Sequence, residues 1–174
     1  MNYSNIIQYD MANGEGIRTS LFVSGCNFHC PNCFNEKAQD FNYGQPFTNS
    51  TYIQLQNHLK SPQVDGLSLL GGDPLCQDIT GMQQLIDLCV YTKSLGKNVW
   101  LWTGFDWDDV FHQPYIKGEN GYRKVLLSIC DIVIDGPFIE DFKDLSLAWR
   151  GSINQRIIDV KESLKHNCVI RAKV

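Results

Sequence analysis

The sequence predicts an α/β fold in the form of an open, incomplete parallel (β/α) barrel of about five or six strands, and three observations carry that reading. Apolar runs of strand length alternate with helical patterns along the chain, as in a parallel sheet joined by crossover helices. The first four strand-like runs each lead into a glycine, and a loop at the carboxyl end of such a strand is where barrels and open sheets build their sites. Five runs can be recognised, short of the eight that close a barrel.

Taken in order, Asn13-Gly14-Glu15-Gly16-Ile17-Arg18-Thr19 reads as a turn in which backbone comes close to another group. Its G-x-G precedes a strand, whereas a dinucleotide fingerprint follows one, so the nucleotide reading is set aside. Thr19 to Ser24 reads as a buried strand, and Gly25 delivers the chain into a cysteine loop. Thr51 to Lys60 has Tyr52, Leu55 and Leu59 at helical spacing. Val64 to Leu70 is a second strand ending in Gly71-Gly72-Asp73-Pro74. Thr80 to Leu95 places Met82, Leu85, Ile86, Cys89 and Val90 on one helical face, with Thr80 and Gln83 as a capping box and Gly96 as a stop. Asn98 to Gly104 is a third strand; Phe105 to Gly121 has no readable period; Tyr122 to Ile129 is helical. Asp131 to Pro137 is a fourth strand with its turn, and Gln155 to Val160 a fifth.

At 174 residues the chain fits one domain over 1–174. Met1 to Asn5 shows no basic segment followed by an apolar run, which leads us to expect a cytoplasmic protein. Seven cysteines, an odd number, suit a reducing compartment, and Cys76, Cys89, Cys130 and Cys168 are expected to be small core residues. Net charge is −4 with Lys and Arg spread along the chain, so no nucleic-acid footprint is visible. No apolar run reaches the length of a membrane span. Protein or small-molecule partners remain.

The chemistry concentrates in Cys26-Asn27-Phe28-His29-Cys30-Pro31-Asn32-Cys33, a C-x3-C-x2-C loop. Thiolate sulfur selects zinc, copper(I) or iron–sulfur clusters, and three thiols on a four-iron cluster would leave one iron open. A zinc site recruiting His29 stays possible on spacing alone, although no second short ligand pair follows. The glycine pair Gly71-Gly72 offers unhindered backbone, and Asp73 a carboxylate able to accept from an ammonium. Thr103 and Asp135 end the next two strands and should face the same cleft, while Trp100 and Trp102 read as packing residues. From residue chemistry, Trp149-Arg150-Gly151-Ser152-Ile153-Asn154-Gln155-Arg156 is a solvated glycine turn.

The cysteine loop resembles the cluster motif of the radical S-adenosylmethionine enzymes, and the G-G-D-P run resembles the family's motif after the second strand. The resemblance implies one 4Fe-4S cluster on Cys26, Cys30 and Cys33, S-adenosyl-L-methionine as cosubstrate on its open iron, and Gly71, Gly72 and Asp73 at the methionine amino group. Many members carry an aromatic residue before the third cysteine that packs near the adenine. Here Asn32 stands in that place, which implies a polar or backbone contact, with Phe34 on the other side of Cys33. Together with G-x-G-I-R-T, L-W-T-G, D-G-P-F and R-G-S-x-N-Q-R, the chain looks like the activating proteins of anaerobic ribonucleoside-triphosphate reductases from about Asn13 to about Val160. That resemblance implies reductive cleavage of the cosubstrate to methionine and a 5′-deoxyadenosyl radical, which takes a hydrogen from a glycine of the large reductase subunit. It implies an electron donor such as a flavodoxin and no protein acid or base. Three other readings are an activase of another glycyl-radical enzyme such as pyruvate formate-lyase, a small-molecule radical enzyme of the deazapurine type, and a zinc or iron–sulfur binding module without catalysis.

Overall fold

The computed structural model describes residues 1–112 and 118–173; 113–117, inside the stretch without a readable period, and 174 lie outside the described residues. Seven strands form one sheet: β1 Asn2–Asp10, β2 Arg18–Val23, β3 Gln45–Pro46, β4 Gly66–Gly71, β5 Asn98–Trp102, β6 Ile132–Asp135 and β7 Arg156–Asp159. Among the described residues five α-helices accompany them: α1 Asn49–Leu59, α2 Ile79–Ser94, α3 Trp107–His112, α4 Glu119–Ile129 and α5 Val160–His166. The strand order is β3-β1-β2-β4-β5-β6-β7, and the sheet does not close on itself.

The middle of the sheet is the predicted parallel unit. β2, β4, β5 and β6 run side by side in parallel, so their carboxyl ends, at Val23, Gly71, Trp102 and Asp135, line up along one rim. The expectation of parallel strands throughout is corrected at both margins. β1 and β3 add antiparallel strands beyond β2, and β7 pairs antiparallel with β6. A parallel return needs a crossover element. The connection from Gly136 to Gln155 holds only a short 3-10 turn at Glu140–Phe142, so the fifth predicted strand comes back the opposite way. β1 escaped prediction because its residues are mostly half-buried and its pairing with β2 is broken by two register shifts, which blur an alternating pattern.

Leu21, Val23, Leu67, Leu69, Val99, Leu101 and Val133 point from the strands into the main core, where Leu55, Leu59, Leu85, Leu88, Leu126 and Leu127 meet them from α1, α2 and α4. On α2 two details differ from the sequence reading. Asp78, not Thr80, caps the helix by accepting from the Gly81 N–H at 2.7 Å, and Leu88 takes the buried position while Val90 is 53% exposed. Likewise the cap of α1 is a box between Thr48 and Thr51. Cys89 and Cys130 are core residues as expected; Cys168 is exposed, just past the left-handed Asn167 that ends α5.

The opposite face of the parallel strands is narrower and mixed. Arg18 is fully buried there, donating to the Ser68 hydroxyl, the Leu67 and Glu15 carbonyls and the Asn98 side chain, with its guanidinium over the Trp100 ring. Burial lowers its pKa to about 10, which still leaves it charged at neutral pH. The turn foreseen at Gly14 does make a close approach: Gly14 has φ of 111°, and an added Cβ would lie 3.1 Å from the Trp100 ring.

The two margins of the sheet differ, and β3 pairs only with Asn2 and Tyr3 of β1. β3 is two residues long, one of them Pro46. Beyond β7, residues 170–172 run alongside, with Asp159 N–H donating to the Ile170 carbonyl and Ala172 N–H to the Ile157 carbonyl.

Candidate metal centre

Four strand ends and the segment from Gly136 to Gln155 enclose one cavity of about 410 Å³. That volume lies in the range of small-ligand sites, about 300–1,000 Å³. Cys26, Cys30 and Cys33 lie in its wall from the β2 side, Gly71 to Asp73 from β4, Trp102 to Gly104 from β5, and Gly136 to Phe138 from β6.

The loop after β2 turns its thiols inward through backbone geometry. His29 and Asn32 hold φ of 49° and 55°, the left-handed region that Asn and His tolerate better than most residues. The Cys33 N–H closes a turn on the Cys30 carbonyl at 3.3 Å. The loop is pinned at its start, where Gly25 and Cys26 N–H groups donate to the Ala38 and Gln39 carbonyls at 2.7 and 3.0 Å. All three cysteines are half-buried and free of disulfides. Three soft thiols converging on one hollow, with room beside them, fit a cluster held at three corners and open at the fourth.

Two thiols are visibly tuned. The adjacent Cys76 thiol, opposed by burial and helped by the Phe28 and His29 N–H groups, lowers the pKa of Cys26. Burial raises that of Cys30, with the Phe138 N–H directed at its sulfur as a counterweight. Cys76 itself is raised, first by the Cys26 thiol beside it and then by burial. Cys76 was expected as an ordinary core residue. It is 8% exposed, yet its sulfur, that of Cys26 and a carboxylate oxygen of Asp73 all lie within 4.8 Å of one another. The one signal in the sequence was a fourth thiol three residues beyond Asp73.

The glycine pair sits against the cysteine loop. Gly72 N–H donates to the Val23 carbonyl and Asp73 N–H to the Gly25 carbonyl, at 2.7 and 2.9 Å. A Cβ on Gly72 would meet the Gly25 and Ala38 carbonyl oxygens at 2.6 and 2.7 Å. Asp73 is 1% exposed. Its Oδ1 accepts from Leu75 N–H at 2.8 Å, its Oδ2 from Gly104 N–H at 2.7 Å, and both from the Thr103 hydroxyl at 3.0 Å. The carboxylate thus clasps the ends of β4 and β5. Burial lifts its pKa to about 6 against those four bonds, which all favour the ion.

Phe34 and Leu145 both line the cavity and are each 81% exposed. Asn32 is exposed and, like Asp135, is not among the lining residues. Asp135 is buried behind the wall, where Arg156 donates to both its oxygens at 3.0 and 2.5 Å and Trp107 N–H donates at 2.8 Å. Arg156 also reaches Asp108 at 3.0 Å. The run expected as a solvated turn is instead an internal lock. Gln155 accepts from the Gly151 and Ser152 N–H groups and donates to the Gly136 carbonyl, while Asn154 donates to the Pro137 carbonyl. Arg150 and Trp149 line the cavity, and Trp102 joins them while donating from Nε1 to the Trp149 carbonyl at 2.6 Å.

Residues 12–158 match the family model of a 4Fe-4S single cluster domain. The chain is 37% identical over 158 residues to the anaerobic ribonucleoside-triphosphate reductase-activating protein of Escherichia coli K12, covering 89% of this chain and 96% of that one. The protein of the same name from Pasteurella multocida is 38% identical over 164 residues, 90% and 96% of the two chains. That of Enterobacteria phage T4 is 35% identical over 159 residues, 90% and 93%. No helix among the described residues is long and apolar enough to cross a membrane.

Proposed function

This chain belongs to the family of anaerobic ribonucleoside-triphosphate reductase-activating proteins, and from that premise we propose that it is a radical S-adenosylmethionine enzyme that generates a glycyl radical on the reductase. The observation that carries the reading is the convergence of Cys26, Cys30 and Cys33 on a cavity walled by the ends of four parallel strands. When bound and reduced, a 4Fe-4S cluster supplies one electron to S-adenosyl-L-methionine, so that the C5′–S bond breaks to methionine and a 5′-deoxyadenosyl radical, which takes a hydrogen atom from a partner glycine.

The chain's own part is placement. Cys26, Cys30 and Cys33 would hold the cluster in the cavity wall. The backbone of Gly71, Gly72 and Asp73 would receive the methionine end, fixed there by the Asp73 carboxylate clasp on Thr103 and Gly104. Thr103 and Phe34 stand where the remainder of the cosubstrate would pass, and Asn32 offers its polar side chain outside the wall. Asp135 would act from behind, holding Trp107 and Arg156 rather than touching the ligand. An unselective primary radical needs one Cα–H and little else within reach, which a mouth edged by Phe34 and Leu145 favours for a protein segment. The open sheet accords with the incomplete barrel of radical S-adenosylmethionine enzymes, with 1–174 as one domain in the cytoplasm. An external one-electron donor such as a flavodoxin completes the requirements.

The test is anaerobic reconstitution with iron and sulfide, reduction with dithionite, and chromatography for 5′-deoxyadenosine after addition of S-adenosyl-L-methionine. The expected result is 5′-deoxyadenosine, and with the reductase present a glycyl-radical signal in electron paramagnetic resonance. A protein that binds its cluster but cleaves no cosubstrate, even beside the reductase, overturns the enzyme reading in favour of a binding module.

A further inference from the structure

Gln77 follows the short 3-10 turn Pro74–Cys76; it is 2% exposed and is not among the residues that line the cavity. Its Nε2 donates to three backbone carbonyls, those of Ser24 at 3.1 Å, Gly25 at 3.4 Å and Asp73 at 3.0 Å. An amide nitrogen carries two hydrogens, so one of them is shared between two acceptors. The acceptors belong to two segments far apart in the chain. Ser24 and Gly25 carry it from β2 into the cysteine loop, whereas Asp73 ends the glycine pair after β4. Two backbone bonds cross the same junction, from Gly72 N–H to the Val23 carbonyl and from Asp73 N–H to the Gly25 carbonyl at 2.9 Å. The Gly25 oxygen thus receives one donor from the Asp73 backbone and one from Gln77, which uses both of its lone pairs. Asp73 is pinned at three points: its N–H on Gly25, its carboxylate on Thr103 and Gly104, and its carbonyl on Gln77. The Gln77 amide joins the last of these to the entrance of the cysteine loop.

We propose that Gln77 is a positioning residue of the metal centre, whose side-chain amide sets the spacing between the cysteine loop and the Gly71–Asp73 backbone and so aligns the cosubstrate's methionine end with the cluster. The inference rests on the function proposed above. The cysteine loop has anchors of its own, since Gly25 and Cys26 N–H groups donate to the Ala38 and Gln39 carbonyls. Loss of the Gln77 amide therefore leaves the thiols in place and loosens the glycine pair against them. Placement weighs heavily in such a step, because reacting groups held about 1 Å out of line lose about a hundredfold in rate. A pin that served stability alone would act otherwise: iron or the unfolding midpoint would fall, while cosubstrate affinity per cluster stayed the same.

The experiment compares the reconstituted full chain with Gln77→Met, which keeps the length of the side chain and removes its donors, and with Gln77→Glu, which keeps its shape. Iron per chain is counted, the urea midpoint is measured, and binding of S-adenosyl-L-methionine per cluster is read by equilibrium dialysis with the cluster oxidised, so that no cleavage consumes the ligand. Cleavage is then assayed after reduction. Both variants should hold as much iron as wild type. Their dissociation constants should rise at least fivefold, the equivalent of about 1 kcal/mol for one hydrogen bond, and 5′-deoxyadenosine formation per cluster at saturating cosubstrate should fall about tenfold or more. Wild-type affinity and rate per cluster in Gln77→Met overturn the inference. Loss of iron from both variants, with affinity per remaining cluster unchanged, overturns it too, by making Gln77 a support of the cysteine loop alone. A wild-type chain that carries its cluster yet binds no S-adenosyl-L-methionine removes the cosubstrate reading itself, and the inference with it.

Discussion

Asp73 is the group whose burial and hydrogen bonding pull in opposite directions, and their balance can be measured as stability. Burial raises its pKa from 3.8 to about 6 despite four accepted hydrogen bonds. A carboxyl that is easier to protonate when folded contributes stability in full below its unfolded pKa and loses it as pH rises through the folded one. The window is therefore pH 4 to about 6.5, and at about 1.4 kcal/mol per pH unit the loss is about 3 kcal/mol. Other groups titrate in the same range, so the quantity to follow is the difference between wild type and Asp73→Asn, which removes this one titration. Urea unfolding of the cluster-free, reduced chain, read by tryptophan fluorescence between pH 4 and 8, gives it directly. With a urea slope of about 2 kcal/mol/M, the wild-type midpoint should fall relative to the variant by about 1.5 M across the window. A flat difference would refute the reasoning. A difference that grows with pH would mean that the three donors outweigh burial and that the folded carboxylate is held below its ordinary pKa.

Alanine at Cys26, Cys30 or Cys33 should lower bound iron and abolish 5′-deoxyadenosine formation, whereas Cys89→Ala, in the core, should keep both and lose about 1 kcal/mol of stability; full activity in Cys30→Ala would sink the ligand set. Gly72→Ala drives a methyl to 2.6 Å from the Gly25 carbonyl, which must displace the cysteine loop, so reconstitution should yield less iron than wild type at unchanged helix content, and equal iron would show that the loop yields freely. Arg156→Gln leaves Asp135, 1% exposed, without its cation and should destabilise the chain by about 3 kcal/mol in urea titration; a loss below 0.5 kcal/mol, the scale of an exposed ion pair, would contradict the buried geometry described.

The parallel centre of the fold was legible because β2, β4 and β5 each carry an apolar run that ends near a glycine, and because a helical period separates them. The margins were not. β1 mixes Asn, Ser and Gln with its apolar residues, and the direction of β7 depends on a connection whose lack of a helix leaves no periodic trace. Of the site, the three thiols and the glycine pair could be read because each is compact in sequence. Asp135 could not, since a carboxylate at a strand end looks the same whether it faces a ligand or Arg156. Nor could the lock formed by Asn154 and Gln155, whose partners lie 17 and 19 residues back. Cys76 was hidden for a similar reason: a thiol beside a leucine reads as core until the turn at Pro74 places it against Cys26.

The two margins of the sheet differ in what they offer a large molecule. An unclosed sheet ordinarily offers unpaired backbone to which a foreign strand can add. Here β3 pairs only with Asn2 and Tyr3, so among the described residues no strand lies beside the outer edge of β1 from Asn5 to Asp10, whereas residues 170–172 flank β7 at the other margin. An added strand has a site along β1, whereas the cavity, with Phe34 and Leu145 exposed in its lining, offers a ligand apolar contact rather than backbone pairing.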